Sequence, residues 1–203
     1  DRIAGFNAKR MKGEPAPLRY ETAVLRKDGQ RAYLDVSVGL IPYEGRPASF
    51  AYLVDMTERK RAEQALQERL AFEQVITSIS TEFINLDPDE IDTGIMHALQ
   101  VIGQFTGDDR SYVFRFSDDG TRMDNTHEWR RANIEPQMQN LRAQPVETLG
   151  WSVAKIKRQE VVHVPCVAKL PAEADVDRQQ MQGQDIQSLV LVPMVYRGKA
   201  VGF

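Results

Sequence analysis

Cysteine is almost missing from this chain: Cys166 stands alone among 203 residues. A single thiol excludes an internal disulfide and any zinc site built on several thiolates, and it suits a reducing compartment. No apolar run approaches the roughly 20 residues that a membrane-spanning helix needs, and no secretory leader is visible, so no membrane insertion and a cytoplasmic location are expected. Neither sign of charge is in excess, with 26 Lys and Arg against 29 Asp and Glu, interspersed, for a net charge of -3. That leaves no basic field for nucleic acid. The histidines, His97, His127 and His163, are far apart and lack ligand-type spacing, so no metal is expected. Gly103 and Gly107 flank a helix end and do not follow a strand, so no phosphate-cradling loop is present. No nucleophile stands on a strained turn or beside a base, and no catalytic residue is assigned.

Proline and glycine are also lacking from 55–86, and there the chain reads as one helix. Asp55 is placed to accept from the first free amides, Glu58 follows three residues later as in a capping box, and Thr57 is a second candidate cap. About thirty residues at 1.5 Å each make a rod about 45 Å long. Apolar positions alternate at three and four: Ala62, Ala65, Phe72, Ile76, Ile79, Phe83 and Leu86, with Arg69 the polar break in the seam. A 3.5-residue repeat favours pairing with another helix, while packing of the same seam on its own domains is the alternative.

Before this helix, residues 1–13 carry Ile3, Phe6 and Met11 as the tail of a helix, and strands are expected at 18–27, 30–41 and 47–54. Asp28-Gly29 supplies the positive φ of a tight hairpin. Val36, Val38, Phe50 and Tyr52 are candidates for a core or pocket on this sheet. After the helix, Asp87-Pro88-Asp89 starts a second helix at 90–105 with an apolar face. Strands at 111–116 and 122–130 flank an Asp118-Asp119-Gly120 turn. Short helices are expected at 136–143, 151–159 and 172–181, and strands at 161–164, 188–196 and 200–203. The fold class is α+β, with antiparallel sheets flanked by helices.

The KDG hairpin, the alternating strand, the short glycine turn and the strand ending in Asp55-Met56-Thr57 resemble the C-terminal half of a PAS domain, with Asp-x-Thr the exit into a signalling helix. The second half resembles a GAF domain. The residues carrying that likeness are Asp109-Arg110-Ser111-Tyr112-Val113-Phe114, His127-Glu128-Trp129, Leu170-Pro171 and the stretch from Ile186 to Met194 with Gly198 after it. The resemblance divides the chain into a partial PAS-like domain at 1–56, a signalling helix at 57–86 shared with the next domain, and a GAF-like domain at 87–203, cut from a longer polypeptide. It implies a sheet between a helical layer and a ligand pocket, with Tyr112, His127, Trp129, Trp151 and Cys166 as pocket candidates; Glu128 and Arg110 are placed to pair across the first two strands of this half. The implied function is sensory: ligand or partner state is relayed through the helix of a homodimer to an output domain in the same polypeptide, such as a histidine kinase, diguanylate cyclase or phosphodiesterase of a bacterial signalling protein. No cofactor is required, and a small-molecule ligand is allowed. The alternatives are a bilin-binding photoreceptor attached through Cys166 and a ligand-free dimerisation scaffold. Cys166 lacks the Cys-His or Asp-x-Cys-Phe setting of bilin carriers, and the Asn-Lys-x-Phe-x-Asp-Glu signature of cyclic-nucleotide GAF domains does not appear.

Overall fold

A computed structural model describes residues 2–203, with side chains from Ile3 onward. The chain divides into two compact units, the first ending at Gln74 and the second Val75–Phe203. The first contains α1 (Arg2–Met11) and strands β1 (Arg19–Leu25), β2 (Arg31–Tyr43) and β3 (Arg46–Asp55), antiparallel in the order β1-β2-β3. Asp28 Oδ1 accepts from the Gln30 amide at 2.9 Å and Gly29 takes φ 81°, which closes the first hairpin. Ala32, Val36 and Val38 are buried on one face. Phe6 of α1 meets Tyr20 edge-on at 5.4 Å, and Arg10, itself buried, donates to the Pro17 carbonyl.

The expected grouping of Val36 and Val38 with Phe50 and Tyr52 is corrected by the register. Val36 stands opposite Leu53 and Val38 opposite Ala51, whereas Phe50 and Tyr52 oppose Gly39 and Ser37. Directly opposed residues share a face, so the two aromatics lie on the other side of the sheet. There they are 56% and 62% exposed.

Helix α2 (Thr57–Asn85) begins two residues after Asp55. Asp55 Oδ1 accepts from the Thr57 amide at 2.9 Å, and Thr57 is not a simple cap, because its Oγ1 accepts from the Tyr33 amide of β2 at 3.0 Å. Arg26 pairs with Asp55, Lys60 pairs with Glu21 at 2.9 Å, and Glu58 sets a negative charge in the first turn, where the helix dipole favours it. The Thr57 hydroxyl and amide hold the Asp55 carboxyl below the usual carboxylate range, with Arg26 adding to the effect. A lowered folded pKa means that the junction's stability from this group is fully present above the ordinary carboxyl value and is lost as pH falls through the folded one. The Thr57 amide proton shift should therefore titrate with a midpoint below the ordinary Asp value of about 3.9. A midpoint at or above that value would show the carboxylate is not held by Thr57.

The second unit takes the end of α2, then α3 (Ile91–Thr106), β4 (Arg110–Phe116), β5 (Arg122–Arg130), β6 (Gln144–Pro145), α4 (Gly150–Lys157), β7 (Val162–Val164), α5 (Asp175–Gln182), β8 (Leu189–Leu191), β9 (Met194–Tyr196) and β10 (Lys199–Gly202). Short 3-10 turns cover Val146–Leu149, Val167–Lys169 and Ala172–Ala174. A five-stranded sheet runs β6-β5-β4-β10-β9, and β7 pairs with β8 separately. The α+β class expected from the sequence is the class observed. Helix α3 stops where Gly107, at φ 79°, donates to the Gly103 carbonyl.

Two expected elements differ. The strand expected at 188–196 is divided at Val192-Pro193, with β8 joining β7 and β9 joining β10. Proline has no amide to donate, so the ladder cannot run through it. Residues 136–143 form turns and no helix. Three of their amides go to carboxylates of β5, Gln137 and Met138 donating to Glu128 and Ala143 to Asp124 at 2.6 Å, while Asn140 and Leu141 donate to the Gln137 carbonyl in a single turn.

Two apolar clusters hold this unit. One joins Ile156, Val162, Val164, Val167, Leu170, Ala174, Met181 and Ala200. The other joins Phe114, Met123, Leu141 and Val153, with Phe203 packed against it and stacked on Phe114 at 4.9 Å. Among the described residues no helix is long and apolar enough to cross a membrane.

Candidate functional site

The central hairpin of the second unit is irregular, and the irregularity decides which side chains share a site. Arg110, Tyr112, Phe114 and Phe116 of β4 alternate with Ser111, Val113 and Arg115. On β5 the register is regular from Met123 to Asn125 and again from His127 to Arg130, with a shift between Val113 and Phe114. Thr126 is the extra residue, and its hydroxyl donates to the Val113 carbonyl at 3.2 Å. Asn125 is thus opposite Phe114, and Glu128 opposite Tyr112. Three residues apart in sequence, they lie on one face, while His127 and Trp129 turn to the other.

That second face is covered by α3. A Cβ at Gly103 would overlap the Trp129 ring and would come within 3.0 Å of Ser111 Oγ. His127 Nε2 lies 3.2 Å from Asp92 Oδ1, in the first turn of α3. The neighbouring helix end packs similarly: Gly94 of α3 admits Leu86, with Phe83 nearby, and His97 Nδ1 lies 2.7 Å from Glu82. Gly103→Ala should destabilise the second unit by about 1.5 kcal/mol through overpacking against Trp129. Urea denaturation reads this directly, and an unchanged midpoint would mean that α3 and Trp129 are not in close contact.

The first face carries a row of buried polar groups among apolar ones. Asn125 is 2% exposed, its backbone amide donates to Leu141, and neither atom of its side-chain amide has a partner. Tyr112 Oη, Arg110 Nε and, on α4, Ser152 Oγ are likewise buried without partners. Arg110 Nη1 donates to the Gln184 carbonyl at 3.1 Å. Burial raises the Tyr112 hydroxyl's pKa, with the nearby Arg110 opposing, so it remains a donor at neutral pH. The expected Arg110–Glu128 pair does not form: Arg110 opposes Arg130, and both Glu128 oxygens accept from Gln137 at 2.9 and 3.0 Å. Asp177, 1% exposed on α5, accepts from the Trp151 and Ser152 amides at 3.2 and 2.8 Å and so satisfies the start of α4. Buried polar atoms without a protein partner are uncommon and costly, and four side chains of this unit carry them.

The pocket candidates from the sequence are therefore separated. Tyr112 lies on the polar face, and His127 and Trp129 lie on the α3 face. Trp151 packs against the cluster around Ile156, with Lys155 Nζ 4.4 Å from its ring. Cys166 is a free, half-buried thiol next to Val167 of that same cluster. Of the expected seam residues, Ala62, Ala65, Arg69, Phe72 and Ile76 are exposed and Ile79 is half-buried, while Phe83, near the end of α2, and Leu86, just past it, meet Gly94. Arg69 pairs with Glu73 one turn on, at 3.0 Å. An open groove at the end of β5, lined by Trp129, Arg130 and Arg131, has its guanidinium groups engaged with backbone carbonyls at Ile134, Asp108 and Gly107. Among the described residues no cluster of His, Cys, Asp and Glu has the arrangement of a metal site.

Asn125, Ser152 and Asp177 are absent from the sequence-based candidates. Asn125 carried one signal, an amide residue of low strand propensity within a strand. Nothing local marked Ser152 or Asp177, which act across 25 residues of chain.

The chain is 28% identical over 155 residues to the methanogenesis regulatory histidine kinase FilI of Methanothrix harundinacea (strain 6Ac), an alignment that covers 73% of this chain and spans 17% of that relative. Among solved structures it resembles the phycocyanobilin-bound GAF domain of a cyanobacterial phytochrome, with TM-score 0.53 at 16% identity over 64% of this chain and 75% of that one. It also resembles the phycoerythrobilin-bound GAF domain of a cyanobacterial phytochrome, with TM-score 0.54 at 15% identity over 66% of this chain and 79% of that one. At these identities the likeness is one of fold. Residues 90–203, more than half of the sequence, match the GAF domain, and over that span the chain belongs to the GAF domain family.

Proposed function

We propose that this chain is a sensory, regulatory segment of a signal-transduction protein, whose GAF domain reads a small molecule on the sheet face carrying Arg110, Tyr112 and Asn125. The observation that carries the reading is Asn125: a side chain almost fully buried whose two amide atoms find no partner within the protein costs stability unless a ligand or an ordered water satisfies them. The first unit is read as the C-terminal part of a PAS-like domain, and α2 as a signalling helix. The partial match to a regulatory histidine kinase supports an output domain elsewhere in the same polypeptide, of kinase or related type.

In this reading the α2 seam pairs with the same seam of a second copy in the cytoplasm, and the ligand acts by binding one helix packing more tightly than another. Arg69 interrupts the apolar stripe, and a charged seam residue lowers pairing strength while fixing register. Sedimentation of the wild-type chain and Arg69→Leu tests the relay. The variant should dimerise about fivefold more tightly, equivalent to roughly 1 kcal/mol. Equal dimerisation of the two would remove the paired seam from the mechanism.

The bilin-bound neighbours raise the alternative of a tetrapyrrole on Cys166. The thiol lies beside the Ile156 cluster, and the polar row is on the sheet, so the unpartnered groups do not favour that attachment.

A further inference from the structure

We infer that residues 134–143 form a strap that shuts the sheet face carrying Asn125, with the Glu128 carboxylate as its latch, and that a ligand reaches that face only when the strap lifts. The inference rests on reading this face as the sensing site, and it adds what controls access to it. Leu141 fills the face in the closed arrangement described above, and the close packing there belongs to that arrangement.

The strap is attached by pins and not by a ladder. It is built of turns and bends. Arg130 Nη1 donates to the Ile134 carbonyl at 2.6 Å, Glu128 accepts the Gln137 and Met138 amides, the Asn125 amide donates to the Leu141 carbonyl at 3.0 Å, and Asp124 accepts the Ala143 amide at 2.6 Å. All four pinning residues belong to β5. Between the pins Glu135, Pro136, Gln139, Asn140 and Arg142 are exposed. One large side chain enters the core: Leu141, 7% exposed, joins Phe114, Met123 and Val153. Lifting the strap therefore breaks a few bonds and withdraws one core side chain, while the sheet beneath keeps its pairing. Segments held in this way open locally, well below the energy of global unfolding.

Two features bring the closed and lifted states near balance. Glu128 is 8% exposed, and the desolvation of its carboxylate is offset by the amides of the strap. In the lifted state water takes the place of those amides at the carboxylate, so most of what closing gains is lost and regained with little net change. Ala143, at the junction with β6, has φ 49°, a left-handed conformation that a residue with a Cβ disfavours. That strain belongs to the closed state and is released on lifting. Asn125 connects the strap to the site, because its backbone amide holds Leu141 while its side-chain amide, on the face that Leu141 covers, has neither donor nor acceptor partnered. A ligand entering in place of Leu141 meets that amide as its polar anchor.

Amide hydrogen exchange of the 203-residue chain tests the strap. The Asn125, Gln137, Met138 and Ala143 amides should exchange at one common opening rate, at least about tenfold faster than the amides of β4, the central strand. Glu128→Gln, which removes the charge and keeps one acceptor, should speed the strap amides about tenfold and leave β4 within about twofold. Ala143→Gly relieves the strain and should slow them about threefold, again with β4 unchanged. Access to the face is read by iodoacetamide alkylation of Met123→Cys in a Cys166→Ser chain, Met123 being 2% exposed in the same cluster as Leu141. Alkylation should rise with Glu128→Gln and fall with Ala143→Gly in step with the strap amides. Strap amides that exchange at the β4 rate overturn the inference, as does a Glu128→Gln effect that spreads equally to β4. Alkylation that ignores both variants while the strap amides respond overturns the control of access. Each of these failures leaves the sensing face standing, since that reading is decided separately by the stability of Asn125→Leu.

Discussion

Asn125→Leu is expected to make the second unit more stable, by about 2 kcal/mol, while removing its response to ligand. The stabilisation comes from deleting two buried polar atoms that have no partner, each of which carries a desolvation cost of about 1–3 kcal/mol in the unliganded protein. Leu is close to Asn in shape and suits the neighbours Phe114 and Leu141, so part of that cost is converted to apolar burial. Urea denaturation of the wild type and the variant measures the difference. A loss of stability would show that the Asn125 amide is satisfied in the folded protein, and the case for a site there would end. The opposite signs of stability and response are the signature sought, since a purely structural residue moves both in the same direction.

Asp177→Ala should have the larger effect on folding, a loss of about 4 kcal/mol. Two charge-assisted hydrogen bonds, to the Trp151 and Ser152 amides, disappear, and each is worth about 1.5–3 kcal/mol. The amides at the start of α4 are then left inside the protein with nothing to accept them. Because Val153 belongs to one apolar cluster and Ile156 of the same helix to the other, loosening α4 would disturb the two cores together. Asp177→Asn retains an acceptor of the same shape and should lose about half as much. Denaturant midpoints within 0.5 kcal/mol or so of wild type for Asp177→Ala, inside the range of ordinary surface changes, would mean that α4 does not depend on this carboxylate.

Helix α2 was legible because its information is local: an Asp before the first turn, a long stretch without Pro or Gly, and a sustained apolar repeat. The Asp28-Gly29 hairpin was legible for the same reason. Partitioning of side chains between faces was not. Phe50 and Tyr52 were grouped with Val36 and Val38 by their apolar character, when only the register of β2 with β3 reveals that the pairs are on opposite sides. Residues 136–143 read as helical by local pattern, but the Gln137, Met138 and Ala143 amides go to the carboxylates of Glu128 and Asp124, which come from an earlier strand. The polar site was missed most completely. Asp177 reaches α4 across 26 residues of chain, and Asn125 bonds through its backbone to Leu141, 16 residues on, which no local pattern connects to it.

Thr126 acts as a reading-frame shift inside a strand. Removing that one residue would leave the composition of β5 nearly untouched, yet it would exchange inside for outside at every position on one side of it. His127 and Trp129 would come round to the face of Asn125, or Asn125 and Met123 would be carried to the face of α3, depending on which half kept its pairing with β4. A titratable ring and an indole would then line the interior in place of a carboxylate and an arginine. Relatives with and without this insertion would share a fold and most of their letters while presenting different chemistry to whatever they bind.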